Sequence, residues 1–257
     1  MGTLYFILLG LVQGLTEFLP VSSSGHLVFL DKIFNVETGN FMLVSIILHI
    51  ATLFSVVIVF YKDIWELVKH PFSKNGKCLI LSTICTVVIV LIFKSFFVNS
   101  FSGQFLPICF MITAILLMVT YFKTKSIKYK SYKEISYKNA SIIGLMQGIA
   151  VLPGISRSGT TISTAILLDV DTDKATSYSF ILSIPIIICS LLFEVYECAL
   201  GNQKIYTGGF VNISIAFIVA LICGVFAIKI MKKLAKTGKY YYFSIYLAIL
   251  SIICLLI

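Results

Sequence analysis

Charge is what this 257-residue chain has least of. Asp, Glu, Lys and Arg make up 12% of it, against 59% hydrophobic residues. A soluble domain carries about twice that share of charge, so a water-soluble globule is excluded. Carboxylates are scarce, 11 against 20 basic residues, and arginine is nearly absent: Arg157 stands alone among lysines. There is no Walker phosphate loop, no zinc-ligand spacing and no Gly-x-Ser-x-Gly elbow, which removes the best-known nucleotide, zinc and serine-hydrolase signatures. The seven cysteines (Cys78, Cys85, Cys109, Cys189, Cys198, Cys223, Cys254) fall mostly inside apolar runs without ligand spacing. They read as small buried residues.

The net charge of +9 is not spread as a nucleic-acid footprint. Lysines gather in three short stretches, 62–77, 123–138 and 229–239. That is the positive-inside pattern of a membrane protein, with anionic lipid headgroups as partners and no nucleic acid.

Apolar runs fill most of the rest. Spans are predicted at 41–61, 78–98, 104–122, 176–195, 210–230 and 240–257, with broken segments at 4–30 and 139–168. The fold class is therefore an all-α polytopic membrane protein, one integral domain over 1–257. Parity sharpens this. All three lysine stretches can lie inside only if 139–168 enters and leaves on one side. The same reading of 4–30 puts both termini outside. Each half is then a re-entrant helical hairpin plus three transmembrane helices, an inverted-topology repeat with halves at about 1–123 and 138–257.

The residues support the repeat directly. "GLVQGLTEFLPVSSSG" (10–25) lies without gaps on "GLMQGIAVLPGISRSG" (144–159), with Gly10/Gly144, Gln13/Gln147, Gly14/Gly148, Ser22/Ser156, Ser24/Ser158 and Gly25/Gly159 identical. Pro20 and Gly25, and Pro153, Gly154 and Gly159, supply helix breaks. A broken backbone at membrane depth must be buried in protein or line a wet cavity. Two such breaks can meet and pool their polar residues.

Those residues are unusual for an apolar segment. Gln13 and Glu17 are four apart, on one helix face. A carboxylate at that depth costs about 2.5 kcal/mol or more, so it needs a partner helix, a cation or a proton to carry. Ser22, Ser23 and Ser24 precede a helix carrying His26; one serine suffices as a cap, and three exceed that need. A serine–glycine turn at a helix start presents N–H groups to an anion. Arg157, outside every lysine stretch, sits among Ser156, Ser158, Gly159, Thr160 and Thr161. Its planar fork suits bidentate phosphate contacts. His49 lies in a span, as core or cavity wall. Asp169, Asp171 and Asp173 read as a solvated turn with Lys174 rather than a metal site.

"QGLTEFLPVSSSGH" and "PGISRSGTT" strongly resemble the two motifs of the undecaprenyl-diphosphate phosphatase, or bacitracin-resistance, family, and the resemblance covers essentially the whole chain. It implies hydrolysis of undecaprenyl diphosphate to undecaprenyl phosphate and inorganic phosphate, recycling the lipid carrier for cell-wall synthesis and conferring bacitracin resistance. It implies a divalent cation, Mg²⁺ or Ca²⁺, the bacterial cytoplasmic membrane and a site open to its outer face. The family's motif residues fall on Gln13, Glu17, Ser23, His26 and Arg157. The expected catalytic set is Glu17, Ser23, His26 and Arg157; phosphate is expected at Ser22, Ser24, Ser156, Arg157, Ser158, Gly159 and Thr161; the cation is expected at Glu17, with Gln13. Gln13 stands where other members carry Glu, which removes one charged ligand. Either Ser23 or a water activated by Glu17 or His26 can attack. The rival class is a flippase of a phosphorylated prenyl lipid, for which a nucleophile and base are superfluous. A homodimer is allowed.

Overall fold

Helix is the only regular structure that the described residues adopt. A computed structural model describes residues 3–34, 42–126, 134–199 and 209–256. Residues 35–41, and 127–133 in the middle of the second lysine stretch, lie outside them. In chain order the helices are α1 (Thr3–Thr16), α2 (Ser23–Phe34), α3 (Met42–Val59), α4 (Tyr61–Lys69), α5 (Lys74–Ile92), α6 (Lys94–Ser100), α7 (Leu106–Ser126), α8 (Tyr137–Ile149), α9 (Arg157–Leu167), α10 (Thr172–Ala199), α11 (Phe210–Thr237) and α12 (Tyr241–Leu256).

Four of these, α5, α7, α10 and α11, are long and apolar enough to cross a membrane. The pair α3–α4, bent by 84°, makes a fifth if the two are one broken span. Helices α1 and α12 are shorter but apolar. Side chains such as Leu91, Ile222 and Leu255 stay exposed, as lipid-facing residues do where no water must be excluded.

The predicted breaks fall where expected. The 4–30 segment divides into α1 and α2 around Pro20, and 139–168 divides into α8 and α9 around Pro153 and Gly154. Several boundaries differ. The span predicted at 78–98 starts earlier, at Lys74, where Ser73 accepts the Gly76 N–H as a cap; it ends at Phe93, beyond which α6 is a separate short helix. The first lysine stretch is not all loop: α4 runs through it, because Ile64, Leu67 and Val68 alternate with Lys62, Asp63, Glu66 and Lys69 at helical spacing. Likewise α11 continues through Lys229–Lys236 to a left-handed Gly238 cap.

The matched glycines are packing contacts. A Cβ on Gly10 would sit 2.6 Å from the Ala216 carbonyl, and one on Gly144 would sit 2.3 Å from the Ser82 carbonyl. Thus α1 lies against α11 and α8 against α5 at backbone-to-backbone range, as small-xxx-small surfaces allow. Hydroxyls seal the α5–α8 seam: Thr86 Oγ1 donates to Gly144 O at 2.9 Å and Ser82 Oγ to Ala140 O at 2.6 Å. Phe18, Phe110, Phe180, Leu182 and Ile162 fill the core between them.

The lysine stretches meet at one end of the molecule. Glu134 joins Lys74 and Lys174, each at 3.3 Å, and Lys236 joins Asp173 at 3.1 Å. Lys123 pairs with Asp169 at 3.0 Å. The lysines beside Glu134 hold its carboxyl below its ordinary pKa, Lys174 first and Lys74 second. The expected solvated Asp turn is thus a set of ion pairs plus a cap, with Asp171 accepting the Asp173 and Lys174 N–H groups. Both ends of the α8–α9 pair lie at this lysine end, since Glu134 precedes α8 and Asp169 follows α9.

Candidate active site

The two helix breaks touch. Gly154 N–H donates to Ser22 Oγ at 3.1 Å, Ser158 Oγ donates to Leu19 O at 3.2 Å, and a Cβ on Gly25 would lie 2.7 Å from Gly154 N. Gly154 has φ +95°, a value that only glycine takes without strain. Ser22 takes φ +69° without that freedom, a conformation costing about 1–3 kcal/mol unless its surroundings hold it. They do: its Oγ accepts Gly25 N–H at 3.3 Å as well as Gly154 N–H, and its carbonyl accepts His26 N–H at 3.2 Å. Ser156, its counterpart in the repeat, caps α9 by accepting Gly159 N–H at 3.1 Å.

The left-handed turn at Ser22 directs Ser23 to Glu17. Ser23 Oγ donates to Glu17 Oε2 at 2.6 Å, and Gln13 Nε2 donates to the same oxygen at 3.0 Å. The other carboxylate oxygen pairs with Arg157 Nη2. Arg157 Nη1 also reaches Ser183 O on α10 at 3.5 Å. Glu17 is almost fully buried, its side chain 3% exposed, whereas Arg157 keeps 19%. A buried carboxylate is tolerable only with such partners. Residues at 13, 17, 23 and 157 are thereby one connected cluster, carried by α1, the break after it, α2 and α9.

The cluster forms the polar end of a cavity of about 380 Å³. Gln13, Glu17, Ser22, Ser23, Ser24, Ser156 and Arg157 all line it. Its remaining wall is largely apolar, including Leu27, Val28, Val44, Leu48, Ile186 and Ile187. Such a mixed lining suits a ligand with both a charged and an apolar part.

Four expected site residues lie apart from it. His26 is buried outside the cavity wall. Its Nδ1 lies 2.8 Å from Ser22 O, so that nitrogen carries the proton, and Tyr246 O–H on α12 donates to Nε2 at 2.6 Å. Both nitrogens are occupied and neither reaches Ser23. Ser158 is spent on Leu19 O, and the Gly159 N–H on the Ser156 cap. Thr161 Oγ1 bonds Arg157 O at 2.9 Å and Ser179 Oγ at 2.5 Å, anchoring the first turn of α9 rather than facing the cavity.

Three residues enter that sequence reasoning had left open or missed, one of them Gln147, which lines the cavity from α8. His49 lines the cavity from α3. Its signal is a polar stripe, Ser45, His49, Thr52 and Ser55, at helical spacing inside an apolar run. Tyr246 has no signal in sequence; only the packing of α12 brings it to His26.

The expected divalent cation can be tested against the donors present. Among the described residues no three His, Cys, Asp or Glu side chains come together, and both Glu17 oxygens are already taken. The amide oxygens Gln13 Oε1 and Gln147 Oε1, however, are buried without a hydrogen-bond partner, and both residues line the cavity. Their amide nitrogens are committed to Glu17 and Thr86, so the orientation of each amide is set. Such hard, neutral oxygens fit a cation whose other ligands are substrate phosphates and water.

The fold and this cavity define a class: a multi-pass helical membrane protein with a buried carboxylate–serine–arginine cluster. The comparison with known proteins is more particular. The family described as Bacitracin resistance protein BacA matches residues 6–253, and the chain belongs to it. An undecaprenyl-diphosphatase of Carboxydothermus hydrogenoformans is 37% identical over 258 residues, covering 100% of this chain and 98% of its own length. Those of Methanococcus vannielii and Halothermothrix orenii are each 36% identical, covering 96% and 98% of this chain and 96% of their own lengths.

Proposed function

We propose that this protein hydrolyses undecaprenyl diphosphate to undecaprenyl phosphate and inorganic phosphate, and so recycles a lipid carrier and raises bacitracin resistance. Family membership and the relatives' names support the reaction. The observation that carries the mechanism is the 2.6 Å hydrogen bond from Ser23 Oγ to Glu17 Oε2 beside Arg157. Nucleophile and base are already in hydrogen-bond contact, and a cation for phosphate lies on the same carboxylate.

Ser23 Oγ attacks the terminal phosphorus and its proton passes to Glu17 Oε2. The bond from that phosphorus to the bridging oxygen breaks, releasing undecaprenyl phosphate and leaving a phosphoserine. Water then cleaves the phosphoserine. Arg157 has two roles in turn. In the empty site it neutralises Glu17; with substrate bound its fork turns to the phosphate oxygens. Glu17 is then released from its ion pair when it takes the Ser23 proton. Ser24 and the N–H groups at the start of α2 hold further phosphate oxygens. A divalent cation bound with the diphosphate at Gln13 Oε1 and Gln147 Oε1 would neutralise charge developing on it. His26 acts as a positioning residue, clamping the Ser22 turn that aims Ser23.

The single domain is an inverted repeat of two re-entrant hairpins, α1–α2 and α8–α9, each followed by three membrane-crossing elements. Three observations support this. The matched motifs cap and pack alike. Helix neighbours exchange between halves: α1 with α11 answers α8 with α5, and α3 with α11 answers α10 with α5. Both ends of α8–α9 lie at the lysine end. With that end inside, both termini and the cavity mouth face outward.

The test is phosphate release from a prenyl diphosphate by the detergent-purified chain. Glu17→Ala and Arg157→Ala should each lose nearly all turnover; near wild-type turnover in either removes the site assignment. Ser23→Ala retaining most activity would leave a water mechanism.

A further inference from the structure

A phosphoserine mechanism needs two proton acceptors. Glu17 takes the Ser23 proton in the first step and is then a carboxylic acid. In the second step that proton must return to Ser23 Oγ as it leaves phosphorus. The attacking water therefore needs another base. Arg157 stays protonated throughout, amides and serine hydroxyls are not basic, and both His26 nitrogens are hydrogen-bonded outside the cavity.

His49 is the group that fits. It stands in the cavity wall on α3, one turn after Ser45. Its Nδ1 lies 2.9 Å from Ser45 O, with Ser45 Oγ at 3.3 Å. A backbone carbonyl can only accept, so Nδ1 bears a proton, and in the neutral ring Nε2 is the nitrogen with the lone pair. Among the described residues Nε2 has no hydrogen-bond partner, and His49 is half-buried rather than enclosed. The ring lines the same cavity as Glu17 and Ser23. The other charged or titratable groups in this cavity wall are Tyr5 from α1, Glu17 from the break after it, and Arg157 from α9. Helix α10 contributes only Ile186, Ile187 and Ser190 there, so nothing competes with His49 as a neutral base.

The geometry points to His49 Nε2 as the general base of the hydrolytic half-reaction, acting on the water that attacks phospho-Ser23. The water oxygen–phosphorus bond forms and the phosphorus–Oγ bond breaks. The water proton goes to His49 Nε2, and the proton held by Glu17 returns to Ser23 Oγ. Inorganic phosphate leaves, and the imidazolium gives its proton to solvent through the cavity. The proposal rests on Ser23 as nucleophile.

The experiment uses the full chain in detergent with a prenyl diphosphate carrying ³²P in its terminal phosphate. Turnover and acid-stable protein-bound label are measured for wild type, His49→Gln, His49→Ala and Ser23→Ala. His49→Gln should lower kcat by about 10²-fold or more, the usual worth of a general base, with KM falling alongside as the phosphoenzyme accumulates. Protein-bound label should rise towards one per chain in that variant while staying low in wild type. Free imidazole should restore part of the turnover of His49→Ala, which also shows that this variant is folded. If His49→Gln turns over within threefold of wild type while Ser23→Ala is inactive, the assignment of His49 is wrong and Ser23 stands as nucleophile. A slow His49→Gln with no accumulated label also overturns it. Turnover by Ser23→Ala with no label in any variant removes the phosphoserine itself and the proposal with it.

Discussion

Replacing Glu17 by glutamine separates its two jobs, because the amide keeps the shape and loses both charge and basicity. Ser23 Oγ then has no base at 2.6 Å. A positioned base is worth about 10²–10⁴ in rate, or about 2.7–5.5 kcal/mol of barrier, so kcat should fall by that factor. Ground-state binding should move the other way. In wild type Arg157 must leave Glu17 to meet phosphate; in Glu17→Gln it has only a neutral amide to leave. KM should therefore hold or fall while kcat collapses. Stability should drop modestly, by about 1.5–3 kcal/mol for hydrogen bonds to a charged group. The larger loss expected when a fully buried pair is broken does not apply, since Arg157 keeps 19% of its side chain exposed and retains Ser183 O. The assay is steady-state phosphate release over a range of prenyl diphosphate concentrations, with Arg157→Gln and the double variant completing a cycle. If Glu17→Gln keeps kcat within threefold, or loses activity wholly through a raised KM, Glu17 is not the base of Ser23. If the two single losses simply add, the two side chains do not act as a unit.

Other expectations follow from particular contacts. Gly144→Ala should cost about 1–3 kcal/mol by overpacking, seen as a lower midpoint in a thermal-unfolding assay in detergent, because its Cβ would meet backbone at 2.3 Å. Gly209→Ala places its Cβ in open space and is strained only by its φ of +85°, so it should unfold less readily than Gly144→Ala. Tyr246→Phe removes the donor to His26 Nε2; it should cost about 1 kcal/mol and change kcat less than tenfold, whereas a direct proton-transfer role for His26 would show as a far larger fall. The Glu134 carboxyl, lowered by Lys174 and Lys74, contributes stability above its unfolded-state pKa that is lost as pH falls through the folded one. Glu134→Gln should therefore lower stability slightly at neutral pH, where the carboxylate is charged, and converge on wild type in acid, which flattens the acid side of a thermal stability profile.

Much of this was open to reading along the chain. Spans are long apolar runs whose only regular solution in lipid is a helix, so α5, α7, α10 and α11 were predictable within a few residues. The breaks showed as Pro20 and Pro153 with glycines nearby. Helix α4 was passed over because lysines mark a loop when counted, and only their helical spacing marks a surface helix. The site was legible as a set of residues and not as an arrangement. Ser156 and Ser158, counted among phosphate ligands, are consumed in capping and in joining the two breaks, a use that depends on backbone N–H and carbonyl groups which sequence does not display.

The amino-acid sequence by itself determined the medium, the helical class, the two broken segments and the lysine end, since each follows from composition and short-range pattern. It also singled out Glu17, Ser23 and Arg157, because charge and hydroxyls at apolar depth need a reason. What only the tertiary structure decided is which groups meet. Glu17 and Arg157 are 140 residues apart and His26 and Tyr246 are 220 apart. Their pairing depends on how each helix is rotated about its axis and on one left-handed turn at Ser22. That turn sends Ser23 to the carboxylate and His26 away from it, and the rotation of α3 places His49 in the cavity wall, its Nε2 without a hydrogen-bond partner among the described residues.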